Sequence, residues 1–264
     1  MKSGMIGVQL KLYIIKIMKQ NKNFLNALDD WGSILTDTYE DAIITHKVIP
    51  LKDKNGKLYV PMYYIDQVPD MNLVSSVVSI PEGVEKIEHG AFINCKDMTH
   101  IAIPDTVNEI CDFAFNNCVK LQEISLPDNI EHIQLYTFLN CKSLKKVKFP
   151  SNLKVINHSA FSDCDLQGKL IFPNSTRTIG DNAFKRNKNL LSLLLNDGLE
   201  HIASWAFSDC TSLTGELVIP ESVDYMGKFV FVNTKLSVIH VPKHKEHNWH
   251  RDWHKGCTAK IVYY

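Results

Sequence analysis

The 264-residue chain lacks a long apolar run. Its most hydrophobic stretch near the amino terminus, Met5 to Met18, is cut by Lys11 and Lys16, which a membrane span or a secretory signal core should exclude. No small-residue cleavage pattern follows it, so the expectation is no membrane insertion and, by default, a cytoplasmic protein whose translation starts at Met1 or Met18. A net charge is also missing: 29 Lys and Arg face 29 Asp and Glu. Residues 1–70 hold nine basic against eight acidic side chains, and 71–264 hold twenty against twenty-one, so neither part has the electrostatic footprint of a nucleic-acid binder. Seven cysteines, an odd number, do not suit a secreted disulfide framework. Familiar catalytic signatures are absent too: there is no GxSxG elbow, GxxxxGK[ST], GxGxxG, CxxC or HExxH. Asn157-His158-Ser159 and Asn174-Ser175-Thr176 match the glycosylation pattern, which has meaning only along a secretory route. A composition of 45% hydrophobic and 22% charged residues excludes intrinsic disorder.

What the chain does have is a period. Prolines stand at 81, 104, 127, 150 and 173, each 23 residues after the last, with Asn196 in the next place and Pro220 and Pro242 slipping by one. Phe92, Phe115, Phe138, Phe161, Phe184 and Phe207 keep the same interval, and Phe231 follows with a slip of one. Cys95, Cys118, Cys141, Cys164 and Cys210 follow their phenylalanines by three, and Asn187 fills the missing beat. The unit reads LxxIxIPxxVxxIxxxAFxxC. Ile124 and Leu126 alternate with polar neighbours, as a strand with one buried face requires, and Pro127 ends the ladder because it has no amide hydrogen. The return segment from Ile133 through Phe138 to Cys141 spaces its apolar groups by three to five, which predicts a short helical or irregular turn. One coil of this length cannot cover its own apolar face, whereas stacked coils cover one another. Ala91, Ala114, Ala160, Ala183 and Ala206 precede the phenylalanines where neighbouring coils leave little room, with Thr137 and Val230 as exceptions. The in-phase cysteines read as small, buried, unreactive fillers with a weak donor.

These residues resemble the BspA-like, treponemal-type subclass of leucine-rich repeats, which carries the same IPxxVxxIxxxAFxxC core, over about residues 73–264. The resemblance implies an α/β-type repeat solenoid: a right-handed superhelix with a concave parallel sheet and short irregular or helical convex segments. It also implies a non-enzymatic protein of the cell-surface or host-interaction kind that binds macromolecules. Trp249, Trp253, Cys257 and Val262 match a terminal cap found in some relatives, so residues 243–264 are read as a carboxy-terminal cap after repeats over 73–242. Residues 1–72 do not repeat. Helical spacing over Phe24–Trp31 and two strand-like runs between Lys47 and Tyr64, joined around Asn55-Gly56, predict a small α+β amino-terminal cap, or alternatively an independent domain. Leu73 to Ile80 reads as an incomplete opening strand.

Function is sought where the repeat leaves identity free, in the outward positions of the concave strands. Register assigns these to His100/Ala102, Glu123/Ser125, Lys146/Lys148, Lys169/Ile171, Ser192/Leu194, Glu216/Val218 and Val238/His240. The candidate partner-binding residues are Lys146, Lys148, Lys169, Ile171, Leu191, Leu194 and Val218, an apolar patch with a lysine rim assisted by Lys145. The competing readings are strand propensity for the apolar residues and a solvated face for the lysines. His244, His247, His250, His254 and Cys257 are spaced by three and four, which on a helix would align imidazoles for metal ligation or a pH response; His247, His250 and His254 are the metal candidates. No carboxylate or paired cysteine completes that set, and His89, His132, His158 and His201 read as surface residues. The expected protein is thus a non-catalytic, cofactor-free, monomeric scaffold for a protein partner. The alternatives are a surface adhesin or virion-type component that binds host matrix or glycan, and a metal-binding protein.

Overall fold

The computed structural model describes residues 48, 50–61 and 77–264. The expected helix over Phe24–Trp31 and the start of the opening segment lie outside the described residues. Over the repeats the chain winds into coils carrying two kinds of parallel strand. Longer strands, among them His100–Ala102, Glu123–Ser125, Lys146–Lys148, Gly168–Ile171, Leu190–Leu194, Thr214–Val218 and Lys235–Val241, stack on one side. Two-residue strands from Glu109–Ile110 through His132–Ile133, Val155–Ile156, Thr178–Ile179 and His201–Ile202 to Tyr225–Met226 stack on the other. Between them every buried position of the repeat joins one continuous core.

The second side corrects the expected α/β-type class with helical convex segments. Among the described residues there is no α-helix, only the single 3-10 turn Glu246–Asn248. The reason lies in the backbone at each corner. The residue two before each phenylalanine (Gly90, Phe113, Tyr136, Ser159, Asn182, Trp205, Phe229) has positive φ, and so does the residue two after it (Asn94, Asn117, Asn140, Asp163, Arg186, Asp209, Asn233). Two left-handed residues per corner interrupt any right-handed helix. The amides freed in this way bond to the next coil: Phe92 N–H donates to Ala114 O at 2.7 Å, Phe115 to Thr137 at 2.9 Å and Phe138 to Ala160 at 2.8 Å.

The seven phenylalanines form the predicted spine. Consecutive rings lie 5.0–5.8 Å apart and within 10° of parallel. In the middle coils the half-buried Phe149 and the buried Phe172, each the residue after its strand, press edge-on against Phe161 and Phe184 at 5.8 and 5.6 Å. The in-phase cysteines are buried fillers, and they also bond. Cys118, Cys141, Cys164 and Cys210 donate Sγ–H to the carbonyl of the phenylalanine one coil earlier at 3.1–3.3 Å. Asn187 takes over that bond, donating to Phe161 O at 2.8 Å, while its Oδ1 accepts from Leu166 N–H at 3.1 Å. Asn196, in a proline slot, donates to Thr176 O at 2.9 Å. Asn187 and Asn196 thus fill their slots with side chains that bond backbone groups of the same and neighbouring coils.

The hairpin around Asn55-Gly56 is present, pairing Leu51–Lys52 with Leu58–Val60. It closes through a five-residue connection with Gly56 at φ +80°, and so is wider than the two-residue turn that the dipeptide most often signals. Its second strand pairs in parallel with Val84–Ile87, extending the short-strand sheet by one place beyond the first coil. At the other end Lys260–Tyr263 pairs with Lys235–Val241, and Trp253 packs edge-on to Phe231 at 6.4 Å. Trp249 donates its indole N–H to Val223 O at 3.2 Å, so the two buried tryptophans close the apolar end.

Two stability outcomes follow. F161A removes a ring from the centre of the spine and should lower unfolding free energy by about 3–5 kcal/mol in urea titration. Thr176 occupies a fully buried column otherwise held by Val107, Ile130, Leu153, Leu199 and Val223, and its hydroxyl has no partner. T176V should therefore raise stability by about 1–2 kcal/mol, visible as a higher melting temperature.

Candidate functional site

The long strands place side chains alternately into the core and onto an open face. Strand Glu123–Ser125 buries Ile124 and exposes the two residues beside it, and Lys146–Lys148 exposes both lysines. Parallel pairing lines up these outward residues from coil to coil: Glu123 faces Lys146, Ser125 faces Lys148, Lys169 faces Ser192 and Ile171 faces Leu194. Farther along, Glu216 faces Val238 and Val218 faces His240. The outward positions are the ones assigned from register.

Two columns result. One runs Lys146, Lys169, Ser192, Glu216; the other runs Lys148, Ile171, Leu194, Val218. Ile171 is 55% exposed, Leu194 47% and Val218 55%. Leu191, 53% exposed, sits where the strand register shifts by one residue beside Ser192 and thus adds a fourth apolar group to the same area. The structure brings together all seven sequence-derived candidates. It adds His100, Gln167 and Ser125, which with Glu123 and the lysines line a hollow of about 520 Å³ over this sheet. The repeat gave no signal for Gln167, which stands where the preceding coils carry the buried Leu121 and Leu144; in this coil Leu166 takes the buried place one residue earlier, and Gln167 is left at the rim, bonded to Asp165.

The charges on this face differ from those elsewhere on the coils. On the opposite side cations pair with carboxylates one coil away: Lys120 with Asp97 at 2.6 Å, Lys154 with Glu131 at 2.7 Å and Arg186 with Asp163 through two bonds. Lys145, Lys146, Lys148 and Lys169 form no ion pair among the described residues. Lys148 acts on Asp128 only as the weakest of several influences, the carboxyl being held below the usual carboxylate range chiefly by hydrogen bonds from Ser151. At the far end of the face His240 and Glu216 meet at 2.8 Å.

The terminal histidines are not brought together. With a 3-10 turn at Glu246–Asn248 and further turns after it, there is no helix to align them, which corrects the expected stripe. His244 and His247 are exposed, the ring of His250 accepts from Asp252 N–H at 3.1 Å, and His254 lies against Trp253 at 4.6 Å. No group of three metal-ligating side chains occurs among the described residues. Cys257 belongs instead to the cysteine column, 3.4 Å from Thr234 Oγ1.

Nucleophilic use of the thiols is opposed by their surroundings. All seven are free, and Cys95, Cys118, Cys141, Cys164 and Cys210 are buried. Burial holds the Cys118 and Cys164 thiols well above their ordinary range and pushes Cys210 up to about 12. Cys111 is half-buried, yet it too is pushed up to about 12, first by desolvation and then by the Glu109 carboxylate. No helix among the described residues is long and apolar enough to cross a membrane.

Stacked parallel coils, an aromatic spine and a free outward face define a leucine-rich repeat solenoid. The family model for the BspA type leucine rich repeat region matches in six copies over residues 71–190 and 168–258, and the chain belongs to that family. Its members are generally non-catalytic scaffolds, typically protein-binding or surface proteins. The chain is similar to the leucine-rich repeat protein of T. pallidum at 26% identity, covering 70% of this chain and 86% of that one with a TM-score of 0.60. It is also similar to a leucine-rich repeat protein from Bacteroides ovatus ATCC 8483 at 25% identity, covering 82% of this chain and 66% of that one with a TM-score of 0.52. No curated protein matches the sequence.

The thiol environment gives a direct measurement. Near neutral pH the native protein should leave the five buried cysteines unlabelled by a thiol reagent and label Cys111 slowly, whereas denaturation should release all seven.

Proposed function

We propose that this protein is a non-catalytic scaffold that holds a protein partner on its concave sheet. Ile171, Leu191, Leu194 and Val218 serve as apolar anchors and Lys146, Lys148 and Lys169 as the charged rim. The observation that carries this reading is the exposure of four large aliphatic side chains in three adjacent strands, whereas the other exposed large aliphatic residues among those described, Val77 and Leu135, stand singly. Contiguous apolar groups bordered by charge are characteristic of interaction sites, because their removal from water favours association while the rim sets orientation. The platform beneath suits the task. Phe149 and Phe172, which follow Lys148 and Ile171 in the chain, pack against the spine, so the face is presented without prior ordering of loops. The absence of familiar nucleophile and phosphate-loop patterns and the suppressed thiols support the non-catalytic part of the reading.

The test is affinity capture from the native source followed by mass spectrometry, comparing the unaltered chain with L194D/V218D. Both positions are exposed, so the double variant should keep its melting temperature while losing the partner that the unaltered chain retains. Equal capture by both proteins would place the binding surface elsewhere.

A further inference from the structure

The concave face changes character along the solenoid, and the change has a direction. Strand Lys146–Lys148 offers two ammonium groups outward, and Lys145 enters the same hollow beside them. Strand Gly168–Ile171 offers one ammonium group and one aliphatic side chain, Lys169 and Ile171. Strand Leu190–Leu194 offers Leu191 and Leu194, and Thr214–Val218 offers Val218 beside Glu216. Lys148, Ile171, Leu194 and Val218 thus form one line that crosses four strands from basic to apolar. With strands about 4.8 Å apart the line spans roughly 14 Å, the length of about four or five extended residues.

Resting on the reading of this face as a protein-binding surface, we infer that its occupant is an extended acidic peptide segment. It lies across the strands, with carboxylates over Lys146, Lys148 and Lys169 and an apolar residue following over Leu194 and Val218. Charge complementarity carries the inference. In the hollow four ammonium groups face one carboxylate, Glu123, and none of the four is in an ion pair with a described residue, whereas Lys120, Lys154 and Lys245 elsewhere each meet a carboxylate. Unpaired cations crowded on adjacent strands repel one another, and a segment bearing two or more carboxylates relieves that repulsion at the moment of contact. The basic stretch is also bounded. Glu123 closes it on one side, and beyond the leucines Glu216 stands paired with His240. A long uniform polyanion, such as nucleic acid or a sulfated glycan, would meet carboxylates at both ends and aliphatic groups in between, whereas a short acidic and apolar segment matches the whole line.

The test pans a random displayed-peptide library on the full chain and measures selected sequences as labelled synthetic peptides by fluorescence anisotropy. Selected peptides should be rich in Asp and Glu next to an apolar residue. They should bind more weakly as salt is raised, lose more than about tenfold in affinity to K146E/K148E/K169E, and lose less to K146Q/K148Q/K169Q. Each variant's melting curve checks that the fold is intact. Selection of neutral or basic peptides, no selection at all, or indifference to both lysine variants overturns the inference. So does a heparin oligosaccharide that binds the unaltered chain and L194D/V218D equally well, since that marks a polyanion site. Peptides that are lost on L194D/V218D but ignore the lysine changes overturn the acidic partner and leave the binding face standing. Peptides indifferent to both sets of changes overturn both.

Discussion

Coil-to-coil spacing governs this molecule. Hydrogen-bonded parallel strands set a separation of about 4.8 Å, and the phenylalanine rings stack at 5.0–5.8 Å, so the ring spine and the two strand stacks advance by nearly the same step. Because every core side chain rests on its own counterpart in the next coil, a change in one coil alters the surroundings of two others. Departures from the repeat are therefore met by compensation at the same spot. Asn187 reproduces the bond of the cysteine it replaces and adds one to Leu166, and Asn196 ties down the carbonyl of Thr176. The corner residues obey the same constraint: Phe113, Tyr136, Trp205 and Phe229 adopt positive φ despite their bulk, because that geometry aims the corner amides at the neighbouring coil.

The outward face is the complement of this constraint. Side chains on the long strands that point away from the core are not fixed in identity by the repeat, and among the described residues this face shows a run of lysines without ion pairs giving way to exposed aliphatic residues. Its rigidity comes from below, where Phe149 and Phe172 wedge against the spine. A surface held in this way can present a fixed pattern of charge and apolar area to a partner without itself rearranging.

The fold was largely legible in the chain because a fixed interval needs no three-dimensional information to detect. The spine, the buried cysteine column, the proline-ended strands and the outward register all follow from that interval together with the alternation of Ile124 and Leu126. The choice between a helical and an irregular corner stayed open in the sequence for an identifiable reason: apolar spacings of three to five suit a helix as well as a corner that crosses a small core. What separates the two is where the amide hydrogens go, and pattern does not record that. The histidines after His244 show the same limit, since their spacing would align imidazoles only on a helix and the turns do not form one.

By itself the sequence determined the period, the residues that stack and the residues left outside, since burial in a repeat is dictated by which positions recur. Tertiary structure alone decided that the corners bond across coils, that the two-residue strands form a second parallel stack, that Gln167 and His100 join the lysines around one hollow, and that none of these lysines is in an ion pair with a described residue. Those outcomes depend on distances between residues a full coil apart, which are set by how the coils settle on one another.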